Sequence, residues 1–298
     1  MSDTNTVGAI DIGTNAVRFL ICEIDETSET KRYRKVAFLR VPVRLGEDVF
    51  TIGEVSDKRR DMLCEAMEGF SHLIKAYDVR AYRACATSAM REASNGDDII
   101  AAVREKSGIN VEIISGPEEA EIIYEAGVAN AGEEEWKNSL HVDVGGGSTE
   151  VVIYADGHIV ESRSFRLGTV RILKNAVRDE DVALFKSELK EIGERYPGLR
   201  IIASGGNINK AQKLLHRRAG EPFTVVELKM LYDSLAGMTF EERIKYFKLN
   251  AYRADVIIPA LKIFLTVSKL CHAPVFIVPQ IGLVDGIISH LDAHLTAK

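Results

Sequence analysis

Apolar positions alternate at the start of the chain, and their period changes further along. Residues 7–12 read as a strand, Gly13-Thr14-Asn15 as a turn and 17–24 as a second strand, with a third expected over 33–43. Over 56–77 the period becomes helical, with Met62, Ala66, Phe70 and Leu73 in step behind an N-cap candidate at Ser56. A strand over 79–86, a helix over 97–106 stopped by Gly108, a short strand over 111–114 and a helix starting near Pro117 complete a first cycle. Residues 140–144, 149–154 and 158–166 then predict a three-stranded meander with Ala155-Asp156-Gly157 as a hairpin turn, followed by helices over 179–195, 207–217 and 225–236. Another helix over 253–270 is expected to bend at Pro259, and a strand over 274–278 and a helix over 283–294 close the chain.

The two cycles share a motif as well as an order. Ile10-Asp11-Ile12-Gly13-Thr14-Asn15 aligns with Val142-Asp143-Val144-Gly145-Gly146-Gly147, each set between apolar strands. Strand–glycine turns recur by chance, but here the flanking pattern recurs too, which favours duplication. The expected architecture is α/β: two duplicated domains, 1–125 and 126–298, facing each other across a phosphate-binding cleft, with helix 283–294 free to pack back on the first. The boundary is expected within 122–138, where Gly127, Gly132 and Glu133-Glu134-Glu135 break the pattern.

Composition narrows the class. A chain of 298 residues, 46% hydrophobic and 28% charged, suits two globular cores. Its longest apolar runs fall far short of the ~20 residues that cross a bilayer, and no basic-then-apolar leader opens it. Cys22, Cys64, Cys85 and Cys271 form no Cys-x-x-Cys pair, and three of them sit in apolar or helical stretches and read as buried thiols of a reducing compartment, so a cytoplasmic location without a membrane partner is expected. A net charge of −6 argues against nucleic acid as a partner but not against a small phosphorylated one.

A strand that ends in Asp and a glycine turn can handle phosphate. Glycines let backbone N–H groups line a concavity and let phosphate oxygens approach closely, while the Asp offers a hard oxygen to Mg²⁺. Neither turn is a P-loop, since no Gly-Lys-Ser/Thr follows, nor a dinucleotide fingerprint, since a strand comes next. Asp11-Ile12-Gly13-Thr14 could be a plain hairpin turn. Asp143-Val144-Gly145-Gly146-Gly147-Ser148-Thr149-Glu150 is the stronger site, because three successive glycines are entropically costly. Ser204-Gly205-Gly206-Asn207, between a strand and a helix, could receive another anionic group or be a simple turn.

Four glutamates mark the helix after Ser115. Glu118, Glu121 and Glu125 share a polar stripe, whereas Glu119 lies with Ile122, Ile123 and Ala126. A carboxylate on the apolar side is placed to accept a proton from water, although a first-turn Glu also simply complements the helix dipole. Arg91 follows a small-residue stretch and could grip phosphate bidentately or be a solvated helix-start residue. Glu150 could assist a metal through water or point outward from its strand. His290 and His294 have zinc-like spacing but no third ligand nearby, and a solvated face is expected. Lys210, Lys213, His216, Arg217 and Arg218 form a basic run that either guides a polyanion or is a wet helix face.

Several segments together resemble the exopolyphosphatase/guanosine-pentaphosphate phosphohydrolase family of the actin-like ATPase superfold. They are Ala9-Ile10-Asp11-Ile12-Gly13-Thr14-Asn15, Ala86-Thr87-Ser88-Ala89-Met90-Arg91-Glu92-Ala93 and Ile114-Ser115-Gly116-Pro117-Glu118-Glu119-Ala120. Asp143 through Glu150, Leu167-Gly168-Thr169-Val170-Arg171, Ser204-Gly205-Gly206, and Arg253-Ala254-Asp255 with Pro259 follow in the family's order. The resemblance implies hydrolysis of terminal phosphoanhydride bonds with Mg²⁺, or Mn²⁺ in its place, on polyphosphate or guanosine pentaphosphate, and leaves a homodimer open. It implies Glu119 as general base, Asp143 as a metal-side carboxylate and Arg91 and the two glycine turns as phosphate holders. Arg91 joins Glu119 in the candidate catalytic set, and Asp11 and Glu150 are the further metal-side candidates from their strand positions. The phosphate-binding set is Gly13, Thr14, Asn15, Gly145, Gly146, Gly147, Ser148, Thr149, Gly205 and Gly206. Ala16 replaces the family's usual Ser, Asn207 stands where Thr often follows the paired glycines, and the additional helical domain of longer members is not in the sequence. A small-molecule kinase or a non-catalytic nucleotide sensor on the same superfold are the alternatives.

Overall fold

The structure, a computed structural model, describes residues 5–25, 32–131, 137–156 and 158–296. Gly132, Glu133-Glu134-Glu135 and Gly157 lie outside the described residues. The chain divides into two compact units, one of Met1–Ala126 with Gly282–Lys298 and one of Gly127–Ile281.

The first unit is built on strands β1 (Thr6–Ile12), β2 (Val17–Asp25), β3 (Arg32–Val41), β4 (Ala81–Ala86) and β5 (Glu112–Ile113). Their order is β3-β2-β1-β4-β5, with β1 antiparallel to β2 and parallel to β4. Every residue of β1 is buried, as expected of a central strand covered on both faces. On one face Ile10, Ile12 and Phe19 pack on Leu63, Met67 and Phe70 of helix Asp57–Ala76, the Phe19 and Phe70 rings 5.0 Å apart. Truncating Phe70 to Ala would cost about 3–5 kcal/mol. On the other face Val7, Ala9, Leu20 and Cys22 meet Ile122 and Ile123 of helix Gly116–Ala131 and Ile287 and Ile288 of helix Leu283–Thr296. A Cβ on Gly286 would fall 2.3 Å from the Ile122 carbonyl oxygen, so only glycine lets these two helices cross so closely.

The second unit holds β6 (Ser139–Val144), β7 (Thr149–Ala155), β8 (His158–Phe165), β9 (Arg200–Ser204), β10 (Phe223–Thr224) and β11 (Val275–Ile277), in the order β10-β11-β9-β6-β7-β8. Without the edge strand β10, this order and its strand senses repeat those of the first unit. The hairpin turns match bond for bond: Gly13 N–H donates to Ala16 O at 3.2 Å, and Gly145 N–H to Ser148 O at 3.0 Å. Leu140, Val142 and Val144 face a core shared with helices Asp179–Arg195, Val225–Ala236 and Ile257–Leu270.

One expected helix is two. Residues 253–270 divide into Ala251–Ala254 and Ile257–Leu270, and Pro259 sits in the first turn of the second helix instead of bending one long helix. A first-turn residue needs no N–H partner, so proline is tolerated there and the break moves upstream. All four cysteines are buried, and burial above all pushes the Cys22, Cys85 and Cys271 thiols up to about 12. Among the described residues, no helix is long and apolar enough to cross a membrane.

Candidate active site

In the first unit the parallel strands end on one line. Ile12 lies beside Ala86 and Ala86 beside Ile113, and the chain just beyond is stitched by Thr87 N–H to Ile12 O at 3.2 Å and Ile114 N–H to Ala86 O at 3.1 Å. Gly13-Thr14-Asn15, Arg91 and Glu119 all follow from these carboxyl ends, the side where open α/β sheets bind ligands. The glycine turn is braced from behind. Gly46 N–H donates to Thr14 O at 3.0 Å and Arg44 N–H to Asn15 O at 3.2 Å. In a trans peptide the N–H points opposite the carbonyl, so the Asn15 and Ala16 N–H groups face the other way.

Asp11 is buried and in register with Arg18 on β2, whose guanidinium donates to its carboxylate. Arg18 escaped the sequence reading. The available signal was parity: Val17, Phe19 and Ile21 face one core, so Arg18 shares the face of Leu20 and Cys22 with Asp11.

Glu119 and Arg91 meet. Arg91 Nη1 donates to the Ile114 carbonyl at 2.7 Å and lies 3.3 Å from Glu119 Oε2. The Glu119 side chain is 13% exposed, against 42% for Glu118 and 51% for Glu125. Its neighbours are engaged at the surface, Glu118 with Arg83 and Glu125 with His290. Ser115 caps the helix by accepting from Glu118 N–H at 3.2 Å.

The second unit aims its glycine turn more tightly. Thr169 N–H donates to Gly145 O at 3.0 Å, Val170 and Arg171 N–H to Gly146 O at 2.8 and 3.2 Å, and Arg171 Nε to Gly147 O at 2.9 Å. The N–H groups of Gly146, Gly147 and Ser148 therefore point away from residues 168–171 and form a row of donors suited to an anion. Thr149 is fully buried and commits its hydroxyl to Leu167 O at 2.5 Å, so it supports the turn from within. Gly205 adopts φ 106°, and a Cβ there would lie 3.0 Å from Asp143 Oδ1 and from Val144 O. Gly206 opens helix Gly206–Leu214, and Arg253 donates to its carbonyl.

Asp143 is flanked in register by Glu150 on β7 and Ser204 on β9. Glu150 is buried and accepts from Ser148 Oγ at 2.6 Å and Ser164 Oγ at 3.2 Å. Two carboxylates directly opposite on adjacent strands repel each other, and a divalent cation relieves that repulsion. Mg²⁺ is commonly held by one or two carboxylates with waters and substrate phosphates completing its shell, so this pair fits it. Among the described residues, no cluster of three or more His, Cys, Asp or Glu side chains is placed to hold a metal. His290 pairs with Glu125, and the side chain of His294 lies outside the described residues.

Within the basic run, Arg217 is taken up by Glu221 at 2.9 Å and Glu227 at 2.7 Å. Lys210 differs: partial burial and the nearby Arg253 and Lys213 charges lower its pKa.

Comparison with known proteins identifies the family and relatives of the same fold. The family model of the Ppx/GppA phosphatase family matches residues 21–197, more than half of the chain. The exopolyphosphatase 2 of Mycobacterium tuberculosis is 26% identical over 276 residues, covering 84% of this chain and 86% of that protein. A bifunctional 3-dehydroquinate synthase/phosphatase of Fusobacterium nucleatum is 32% identical over 168 residues, which is 55% of this chain but only 25% of that longer protein. The crystal structure of the Aquifex aeolicus Ppx/GppA family member superposes with a TM-score of 0.78 at 26% identity, over 97% of this chain and 98% of that one. An exopolyphosphatase from Cytophaga hutchinsonii gives 0.84 at 23% identity, over 97% and 98%, a likeness of fold.

Proposed function

The chain belongs to the Ppx/GppA phosphatase family, and from that premise we propose that it hydrolyses the terminal phosphoanhydride bond of inorganic polyphosphate and releases orthophosphate. The observation that carries the reading is Glu119: the one glutamate of its helix start that is withdrawn from solvent, set at the strand ends and beside Arg91. In this reading Glu119 takes the proton from the attacking water. Arg91 grips phosphate oxygens, and the N–H row of Gly146, Gly147 and Ser148 does the same for the transferred group. The Gly13–Asn15 turn, with its own outward N–H groups, and the start of helix Gly206–Leu214 bind further phosphates of the substrate.

Asp143 and Glu150 would hold Mg²⁺ or Mn²⁺, which when bound neutralises charge developing on the phosphoryl group. Asp11 is the third carboxylate of the set, and its pairing with Arg18 makes its contribution to the cation indirect. Polyphosphate is placed first because an exopolyphosphatase matches over most of both chains. Guanosine pentaphosphate offers the same terminal anhydride and is the second substrate.

The test is orthophosphate release from polyphosphate, guanosine pentaphosphate and a nucleoside triphosphate, each with Mg²⁺ and with excess chelator. Release from polyphosphate that needs the cation is expected. No release from any of the three would end the hydrolase reading, and full turnover in chelator would remove the metal from it.

A further inference from the structure

We propose that Arg171 is a positioning residue for the phosphate-binding turn, working with Gly168 as a rail that aims the Gly146, Gly147 and Ser148 N–H groups. The inference rests on the phosphohydrolase reading for what the turn binds, but its geometry stands alone.

A run of three glycines has the widest backbone choice of any tripeptide, so nothing within it selects one conformation. An anion site needs its donors fixed before the ligand arrives. In this turn the fixing comes from outside. Three successive carbonyls are each held by the segment beyond β8: Gly145 O by Thr169 N–H, Gly146 O by Val170 and Arg171 N–H, and Gly147 O by Arg171 Nε. The first two ties are main-chain bonds. The third depends on a side chain, and it sets the peptide whose N–H belongs to Ser148.

Arg171 is 3% exposed although it is a cation, and it sits on the short helix Thr169–Leu173. A buried guanidinium persists where its fixed fork is needed. Its Nε donates to Gly147 O at 2.9 Å, a position the Nζ of lysine does not reproduce from the same backbone. Gly168 makes the contact possible: a Cβ there would lie 2.4 Å from Gly146 C and O and from Gly147 C. Its backbone is extended at φ −133°, so the need for glycine is one of space alone. The rail and the turn touch main chain to main chain, and any side chain at 168 would part them.

The experiment uses the full chain and two variants, Arg171→Lys and Gly168→Ala. Backbone amide shifts are followed during titration with inorganic phosphate, alongside KM and kcat for polyphosphate with Mg²⁺ and a melting curve. In the parent, the Gly146, Gly147 and Ser148 amides should be among those that shift on adding phosphate. In each folded variant, phosphate affinity should fall and KM rise together by about tenfold, the equivalent of one charge-assisted hydrogen bond, with kcat changed much less. A purely structural role would lower the melting temperature and leave the KM of the folded fraction unchanged. Parental KM and parental amide shifts in either folded variant overturn the proposal, as does a parent whose turn amides do not respond to phosphate. Phosphate-responsive amides in a chain that hydrolyses none of the anhydrides would leave the rail standing and sink the hydrolase reading alone.

Discussion

Replacing Glu119 with Gln isolates the proton-transfer step. The substitution keeps the side chain's shape and an acceptor oxygen while removing the base. The structure limits what else it disturbs. Arg91 makes its short bond, 2.7 Å, to the Ile114 carbonyl and stands 3.3 Å from Glu119, beyond the usual length of a charge-assisted contact. Folding stability should therefore fall by about 1 kcal/mol or less. Loss of a general base costs about 10²–10⁴-fold in rate, or roughly 3–5 kcal/mol of barrier. The kinetic effect exceeds the stability effect severalfold, so it will be visible in fully folded protein. Substrate affinity should hold or rise as a negative charge leaves. Glu118→Gln is the control: Glu118 bridges Arg83 at 3.0 Å on a half-exposed surface, a pair worth about 0–1 kcal/mol, and turnover should stay within a few-fold. The assay is single-turnover orthophosphate release beside direct binding. Parental turnover by Glu119→Gln would refute the assignment outright.

Arg91→Ala should differ in kind, lowering both affinity and rate, since it removes a phosphate donor and the bond to Ile114 O together; unchanged KM would count against it. Asp143→Asn should weaken Mn²⁺ binding, read by paramagnetic resonance without substrate, by about tenfold or more, whereas Asp11→Asn should weaken it less because Arg18 already holds Asp11. Equal losses in the two would show that both ligate directly. His141 is fully buried and bonded to Ser204 Oγ at 3.1 Å, and burial lowers its pKa to about 4 from an ordinary 6.5. The unfolded chain then binds the extra proton between those values, so stability is full above about pH 6.5 and falls by about 3 kcal/mol as pH drops to 4. His141→Gln should flatten that part of a urea-midpoint profile, and an unaltered slope would show that His141 is not its source.

Most of the strand pattern was legible because the central strands are buried along nearly their whole length, β1 under helices on both faces, which imposes regular apolar runs. Glu119 was separable from Glu118 for a related reason: helical spacing fixes which side each carboxylate occupies, and the two exposures differ accordingly. Other features lay beyond local pattern. Helix Gly46–Ile52 has no side-chain cap, and its place comes from tertiary bonds, Gly46 N–H to Thr14 O and the Arg59–Glu47 ion pair. Helix Phe240–Phe247 was not expected from the sequence either, although Thr239 and Glu242 form a capping box at its start. The pairing of Arg18 with Asp11 required the hairpin register, and the hold of Arg171 on Gly147 O links residues 24 apart through a bond that no periodicity encodes.

The two halves of the repeat share a hairpin but not its charge. Asp11 faces Arg18 across the first hairpin, and Asp143 faces Glu150 at the equivalent place in the second. One change of sign separates the two pairs on the same backbone. The first pair is neutral in sum. The second concentrates two carboxylates at a buried strand end, an arrangement that a cation stabilises and an isolated fold would not favour. The turns diverge in the same direction. Gly13-Thr14-Asn15 carries side chains and is braced by two backbone donors, whereas Gly145-Gly146-Gly147 has none and is braced by three backbone donors and a guanidinium. A bare turn allows closer approach by phosphate oxygens, and the heavier bracing offsets the freedom that bareness brings. In the proposed reading, divergence of the two copies leaves the carboxylate pair that would hold a cation in the second, and the candidate proton acceptor, Glu119, on an element of the first.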